Sequence, residues 1–96
     1  MYSGNYYVYI TTNPAKRVPY TCITNNLQRR IMEHYNNRGN SKTFAGNYYC
    51  YMLIYYECYE DIGQAIAREK KIKSMSRTKK EDLIAAKTPK WSFISV

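Results

Sequence analysis

The sequence predicts an α+β fold, in which a small antiparallel three-stranded sheet is flanked by three helices in the order β-β-α-β-α-α. Three observations indicate it: tyrosine-rich runs typical of strands, segments with apolar residues at helical spacing, and turn residues between them. A chain of 96 residues is long enough for one modest core. We therefore expect residues 1–96 to form a single domain.

The first two strands are expected to pair as an antiparallel hairpin. Residues 6–12 read Tyr-Tyr-Val-Tyr-Ile-Thr-Thr, residues 13–16 supply an Asn-Pro turn, and residues 17–24 resume an extended run. Residues 48–58 form a longer aromatic and apolar run with two apolar faces. This pattern predicts a third strand at the centre of the sheet.

The first helix is expected to begin at Asn25 or Asn26 and to end near Asn37. Gln28 is placed to complete a capping-box-like pair with Asn25. The following residues, 38–47, are rich in Gly, Asn and Ser, which predicts a mobile loop.

Two further helices follow the third strand. Asp61 is expected to cap the second helix, and Thr78 with Glu81 forms a Thr-x-x-Glu box that would open the third. Pro89 would end that helix. Two aromatic residues of the tail are expected to dock on the domain: Trp91 and Phe93.

Charge and composition restrict the partners of the protein. Fifteen Lys and Arg against seven Asp and Glu give a net charge of +8, which favours a polyanion such as nucleic acid, although small basic proteins can also be merely soluble. The three cysteines show no CxxC and no metal-ligand spacing, so we expect a reducing cytoplasm rather than disulfides. No run has the length of a signal peptide core or a membrane span, and no small-molecule cofactor is expected.

Three charged or titratable side chains lie where their helices should be apolar. Glu69 falls inside the apolar arc of the second helix, which consists of Ile62, Ala65, Ile66 and Ile72. Arg30 and His34 lie on the inner stripe of the first helix, which consists of Leu27, Ile31 and Tyr35. Such groups are costly near a core unless they are paired, bind a metal or do chemistry, so they indicate a site.

The order of these features resembles the GIY-YIG nuclease superfamily, and above all its short, stand-alone bacterial members. The resemblance is carried by Tyr7-Val8-Tyr9, by Tyr20-Thr21-Cys22, by the Arg-Arg-x-x-x-His run at residues 29–34, and by Ala-Ile-Ala-Arg-Glu at residues 65–69. It spans residues 6–84, and its strength lies in the ordered set rather than in any single motif.

The resemblance implies metal-assisted hydrolysis of a DNA phosphodiester. Glu69 would hold one divalent cation, Mg²⁺ or Mn²⁺, and Arg30 would stabilise charge on the scissile phosphate. His34 would assist, and Tyr9 and Tyr20 would orient or activate the attacking water. A phenol is a weak base at neutral pH, so this role would need nearby cations to lower its pKa.

Plainer roles remain open for these residues. Glu69 would otherwise form a salt bridge along its helix, with Arg68, Lys70 or Lys73 as the partner. A lone inward histidine such as His34 is more often a satisfied core residue, and Tyr9 could be a packing aromatic.

Five basic residues, most of them next to Glu69 in the sequence, are candidates for contacts with DNA. We expect a phosphate-backbone track formed by Arg29, Arg68, Lys70, Lys71 and Lys73, although helical charge runs are also commonly a solvated face. Tyr48 and Tyr49 could stack on unpaired bases, with strand packing as the more usual role.

The sequence also departs from the family pattern. Cys22 stands where the second motif has glycine, Thr21 replaces an aliphatic residue, and no asparagine occupies the region around Pro89 where many members carry one. The main hypothesis is a structure-selective or weakly selective DNA endonuclease in repair or processing, acting on branched, nicked or single-stranded DNA. A catalytically weak or inactive nucleic-acid-binding module is the first alternative, and an interaction subunit is the second.

Overall fold

A computed structural model describes residues 5–88 and 90–95. Its elements are β1 (Tyr6–Thr12), β2 (Pro19–Thr24), α1 (Leu27–Asn36), α2 (Phe44–Asn47), β3 (Met52–Tyr59), α3 (Ile62–Lys73) and α4 (Arg77–Lys87). The predicted α+β fold with a three-stranded antiparallel sheet is confirmed. The number of helices was wrong by one, because the four-residue helix α2 lies within the predicted loop.

The strand order is β2-β1-β3, so the prediction that the third strand is central was wrong. Its two apolar faces arise because helices cover both sides of the sheet. Leu53 packs with Tyr9 on the α1 side, whereas Ile54 and Tyr55 join the core on the α3 and α4 side. The pairing of β1 with β3 shifts between Ile10 and Thr11. This irregularity allows the consecutive residues Ile54 and Tyr55 to join the same core.

The third strand also begins later than predicted, at Met52 rather than at residue 48. Tyr48 is the C-cap of α2, and Tyr49 has a φ of 58°, which no strand residue adopts. The segment 38–47, which was predicted to be a mobile loop, ends in the short helix α2. Thr43 caps α2 by accepting a hydrogen bond from the Gly46 amide, and Gly46 packs so closely that a Cβ would lie 2.6 Å from the Asn40 carbonyl.

The side chain of an Asn, an Asp or a Ser caps the N-terminus of each longer helix. Asn26, rather than Asn25, caps α1 by accepting from the Arg29 amide at 3.0 Å. Asp61 caps α3 as predicted. The predicted start of the last helix was wrong, because Ser76 is its cap and Thr78 lies inside the first turn.

The C-terminal segment lies along the outer edge of β3. The Ile94 amide donates to the Leu53 carbonyl at 2.8 Å, and the Thr88 hydroxyl and the Lys87 ammonium donate to two further carbonyls of the strand. Trp91 packs against the core as expected, whereas Phe93 is 37% exposed. Pro89 lies outside the described residues. Within the described chain, none of the helices has the length and apolar character needed to cross a membrane.

Candidate nuclease site

Strand register gathers three side chains on the face of the sheet that α1 covers. Tyr9 of β1 lies opposite Cys22 of β2, and Tyr20 lies two residues before Cys22. Because side chains alternate along a strand, all three point to the same face. Helix α1 then adds Arg30 and His34, one turn apart, to this group.

Tyr9 and His34 form a buried pair at the centre of the group. The Tyr9 hydroxyl and His34 Nε2 are hydrogen bonded at 2.8 Å, and the solvent exposure of the two residues is 0% and 5%. Burial, helped by the Arg30 charge, lowers the pKa of His34 to about 4, so the imidazole is neutral at pH 7. His34 is therefore a hydrogen-bonding residue here rather than a cation.

The two tyrosine hydroxyls stay protonated. Burial raises the pKa of Tyr9 and of Tyr20, and the neighbouring Cys22 thiol raises each further. Arg30 lowers both pKa values, as the sequence suggested, but it does not outweigh burial. In this state neither phenol is a base at neutral pH.

Arg30 brings a partly exposed positive charge to this group. Its side chain is 33% exposed, and its Nη1 donates to Glu33 Oε1 at 3.1 Å. Burial lowers the pKa of Arg30, but Tyr9, Glu33 and Cys22 together outweigh that effect and raise it. Arg30 is thus a permanent cation beside the tyrosines, within reach of solvent.

Glu69 of α3, the helix that packs on the other side of the sheet, acts on Tyr20 through its charge. Its side chain is only 15% exposed, and its negative charge contributes to the raised pKa of Tyr20. Ala65 and Ile72 of the predicted apolar arc are buried, whereas Ile62 and Ile66 are 48% and 39% exposed, so the arc is narrower than the spacing indicated. Glu69 lies at the edge of the buried face.

The salt bridge that was the alternative role for Glu69 is present in the structure. Lys73 Nζ lies 3.3 Å from Glu69 Oε2, one helical turn on, while its own side chain is 53% exposed. This ammonium is a cation held by the carboxylate in the described structure. Pairing with Lys73 and binding of a metal ion are therefore competing uses of the same oxygen.

The donor set fits one hard divalent cation. Among residues 5–88 and 90–95 no group of three or more His, Cys, Asp or Glu side chains could hold a metal ion. A single carboxylate suits Mg²⁺ or Mn²⁺, because these ions keep several waters and take further oxygens from substrate phosphates. Glu69 would be the protein ligand, and its present partner is already a cation.

The predicted phosphate contacts divide into two groups. Arg29 and three lysines are exposed on the surface, and those lysines are Lys70, Lys71 and Lys73. Arg68 instead points to β3, where its Nε and Nη2 contact the two oxygens of Glu57 at 2.9 and 3.0 Å. Its guanidinium is thus engaged within the protein.

Sequence reasoning missed Glu57, which organises a network between β3 and α3. The hydroxyls of Tyr55 and Tyr59 also donate to this carboxylate. Burial raises the pKa of Glu57, but the hydrogen bonds from Arg68 and the two tyrosines outweigh it and lower the pKa overall. The only signal in the sequence was a Glu between two tyrosines at i ± 2, on one face of a strand.

Sequence reasoning also missed Phe44. Its ring stacks on Tyr20, with centroids 5.7 Å apart, although the residue lies in the segment that was predicted to be a loop. No pattern of spacing connects these two positions in the chain.

Comparison with known proteins gives a consistent result. The family model of the GIY-YIG catalytic domain matches residues 5–82. The UPF0213 protein NP_0776A of Natronomonas pharaonis is 34% identical over 86 residues, which cover 90% of this chain and 98% of that protein. The UPF0213 protein CPE1444 of Clostridium perfringens is 37% identical, with 88% and 87% covered.

A solved structure agrees with these relatives. The solution NMR structure of the UPF0213 protein BH0048 from Bacillus halodurans superposes with a TM-score of 0.55 at 29% identity, and covers 86% of this chain and 85% of that one. The family match spans more than half of the chain, and the predicted resemblance is confirmed. The chain belongs to the GIY-YIG family, among its short UPF0213 members.

Proposed function

We propose that this protein is a metal-dependent endonuclease that hydrolyses DNA phosphodiester bonds. The observation that carries the proposal is the group of contacts around Tyr20: its ring meets the His34 ring at 5.9 Å, His34 is hydrogen bonded to Tyr9 at 2.8 Å, and opposite charges from two helices act on Tyr20. Arg30 of α1 lowers the pKa of this tyrosine and Glu69 of α3 raises it, so both charges act at one hydroxyl. A phosphate and a divalent cation are the ligands that such a pair of charges would hold.

In the proposed mechanism each side chain has a separate task. Arg30 offers planar donors to the non-bridging oxygens of the phosphate, where charge develops during attack. A divalent cation on Glu69 would polarise that phosphate and stabilise the leaving oxyanion. Tyr20, with its phenol protonated, orients the attacking water by a hydrogen bond, and the proton that this water loses passes through solvent to the leaving oxygen.

Tyr9 and His34 act through position. Both are buried, so we assign neither to direct contact with bulk water. Their 2.8 Å hydrogen bond ties β1 to α1, and His34 lies one turn beyond Arg30 on the same helix. This pair therefore fixes the distance between Arg30 and the sheet, on which alignment with the phosphate depends.

The charge of the protein supports DNA as the substrate. The net charge of +8 and the exposed Lys70 and Lys71 favour contacts with the phosphate backbone, which give affinity without sequence preference. We therefore propose a structure-selective or weakly selective role in DNA repair or processing in the cytoplasm.

The experiment is a cleavage assay with Mg²⁺ or Mn²⁺ on single-stranded, nicked, flapped and branched DNA. We expect cleavage that falls at least about 100-fold in Glu69→Gln and in Arg30→Ala, because each removes a group that stabilises transition-state charge. Glu60→Gln, which changes an exposed acid outside the group, is the matched control and should keep full activity. Wild-type cleavage no higher than that of the two site variants on every substrate would refute the proposal.

One observation favours the alternative of a weak or inactive nucleic-acid-binding module. The Cys22 thiol lies on the same face of the sheet as both site tyrosines and raises their pKa values, where the family pattern has a glycine without a side chain. DNA binding that weakens with salt, combined with absent cleavage, would support this alternative. Cleavage by Cys22→Gly but not by the wild-type protein would identify the Cys22 thiol as the cause of the missing activity.

A further inference from the structure

Three aromatic rings form a continuous row that begins at the candidate site and ends in solvent. Tyr20 stacks on Phe44 with an interplanar angle of 21°, and the Phe44 and Tyr48 ring centroids lie 4.7 Å apart. Phe44 is 52% exposed and Tyr48 is 47% exposed. The row thus extends outward from a tyrosine to which we assign a role in hydrolysis.

The short helix α2 holds the row in place. Ala45 and Gly46 are buried, and the Cys50 amide donates to the Ala45 carbonyl at 2.8 Å. With these two neighbours buried, the Phe44 side chain lies on the outer side of the turn. A phenylalanine is therefore fixed with about half of its surface in water, next to the site, where burial would normally be favourable.

We propose that Phe44 and Tyr48 form a stacking subsite for an unpaired DNA base next to the scissile phosphate. This inference rests on the proposed function, since it takes Tyr20 as the neighbour of that phosphate. A base and these rings share flat aromatic faces, and stacking of this kind tolerates any base. Bases inside a duplex are covered by their neighbours, so the subsite would favour single-stranded or unstacked segments of the substrate.

The test separates base stacking from phosphate contacts. Fluorescence anisotropy in EDTA, where no cleavage occurs, compares a labelled oligothymidylate with an oligonucleotide of equal length and charge that carries abasic sites. We expect the wild-type protein to bind the oligothymidylate about 5- to 150-fold more tightly, as one stacked base provides. Phe44→Leu keeps an apolar side chain but removes the ring, and should reduce this ratio to about 2 or less.

Tyr35→Ala is the matched control, because Tyr35 is an aromatic residue of similar exposure, 47%, whose ring contacts Tyr51 instead of Tyr20. It should keep the wild-type ratio. Tyr48→Leu gives a second variant outside the stack on Tyr20, and thermal unfolding confirms that each variant is folded. Equal affinities of the wild-type protein for the two oligonucleotides, or an unchanged ratio in both leucine variants, would overturn the proposal.

The outcome is independent of the cleavage assay. A large ratio that Phe44→Leu abolishes would support the subsite even if the protein cut no DNA. Cleavage by a protein with a ratio near 1 would support the nuclease and overturn the subsite.

Discussion

Helix α3 carries two acid–base pairs that are built in different ways. Arg68 meets Glu57 through two parallel contacts, and two tyrosine hydroxyls donate to the same carboxylate. Glu69, the next residue along, meets Lys73 through a single contact of 3.3 Å. The first carboxylate accepts from three fixed side chains, whereas the second is held by one long side chain that is half in solvent.

The two carboxylates therefore differ: Glu57 is fixed by its partners, whereas Glu69 can exchange its partner for another cation. Bidentate contacts and added hydrogen bonds compensate the cost of burying Glu57 and join β3 to α3. The contact of Glu69 with Lys73 is of the i,i+4 type, which contributes little to stability and is easily exchanged. Burial of a carboxylate therefore does not indicate its role until its partners are known.

The largest expected effect is on the free energy of unfolding. Its absence would contradict the distinction between Glu57 and Glu69. Glu57→Gln leaves the poorly exposed Arg68 charge without its partner, so we expect a loss of about 2–4 kcal/mol in the free energy of unfolding. Glu69→Gln should change it by less than about 1 kcal/mol. Urea unfolding monitored by circular dichroism provides both values. Equal losses in the two variants would show that the pairs are energetically alike.

As the pH falls, His34 of the candidate site should become protonated before Glu57 does. The pKa of His34 is about 4 in the folded protein and about 6.5 in an unfolded chain, so between these values the unfolded chain binds the extra proton. The free energy of unfolding therefore falls by about 2–3 kcal/mol as the pH falls from 6.5 to 4. The lowered pKa of Glu57 means that its contribution is lost only at more acidic pH, below the ordinary value of a Glu.

Urea unfolding at a series of pH values tests this order. His34→Gln, which keeps a polar group near Tyr9 but does not titrate, should flatten the curve between pH 6.5 and 4. An equally steep decline in this variant would mean that His34 is not the group responsible.

The smallest effect concerns the metal. If Glu69 holds the cation as proposed, Lys73→Ala removes a competitor, and Mn²⁺ should bind about two- to five-fold more tightly by titration calorimetry. Lys70→Ala, an exposed lysine one residue beyond Glu69, and Glu57→Gln should leave the affinity unchanged. Mn²⁺ binding that survives Glu69→Gln would exclude this carboxylate as the ligand.

The position of Glu69 on its helix could be read from the sequence, whereas the position of Glu57 could not, for a physical reason. Helical spacing depends on residues within two turns, so the position of Glu69 relative to its apolar neighbours could be read directly. Glu57 depends on Arg68, eleven residues further on and across a turn. A contact between two elements requires their relative placement, which local patterns do not contain.

The same limit explains the errors in the fold. The hairpin and the Asp61 cap were predicted correctly because both are local. The position of β3 was not, since an apolar strand can lie at an edge when helices cover both faces and a tail covers the outside. Ser76 and Thr78 are both acceptable caps, and Glu81, expected to pair with Thr78, pairs with Arg77 instead.

The tail along β3 has a consequence for self-association. Open strand edges are templates on which further chains can add, and β3 is an edge strand with several aromatic residues. Here the Ile94 amide and the Thr88 hydroxyl already occupy carbonyls that an incoming strand would need. A second molecule would first have to displace this segment. Thr88 and Ile94 therefore protect the outer edge of β3, which is remote from Tyr20, against pairing with another strand.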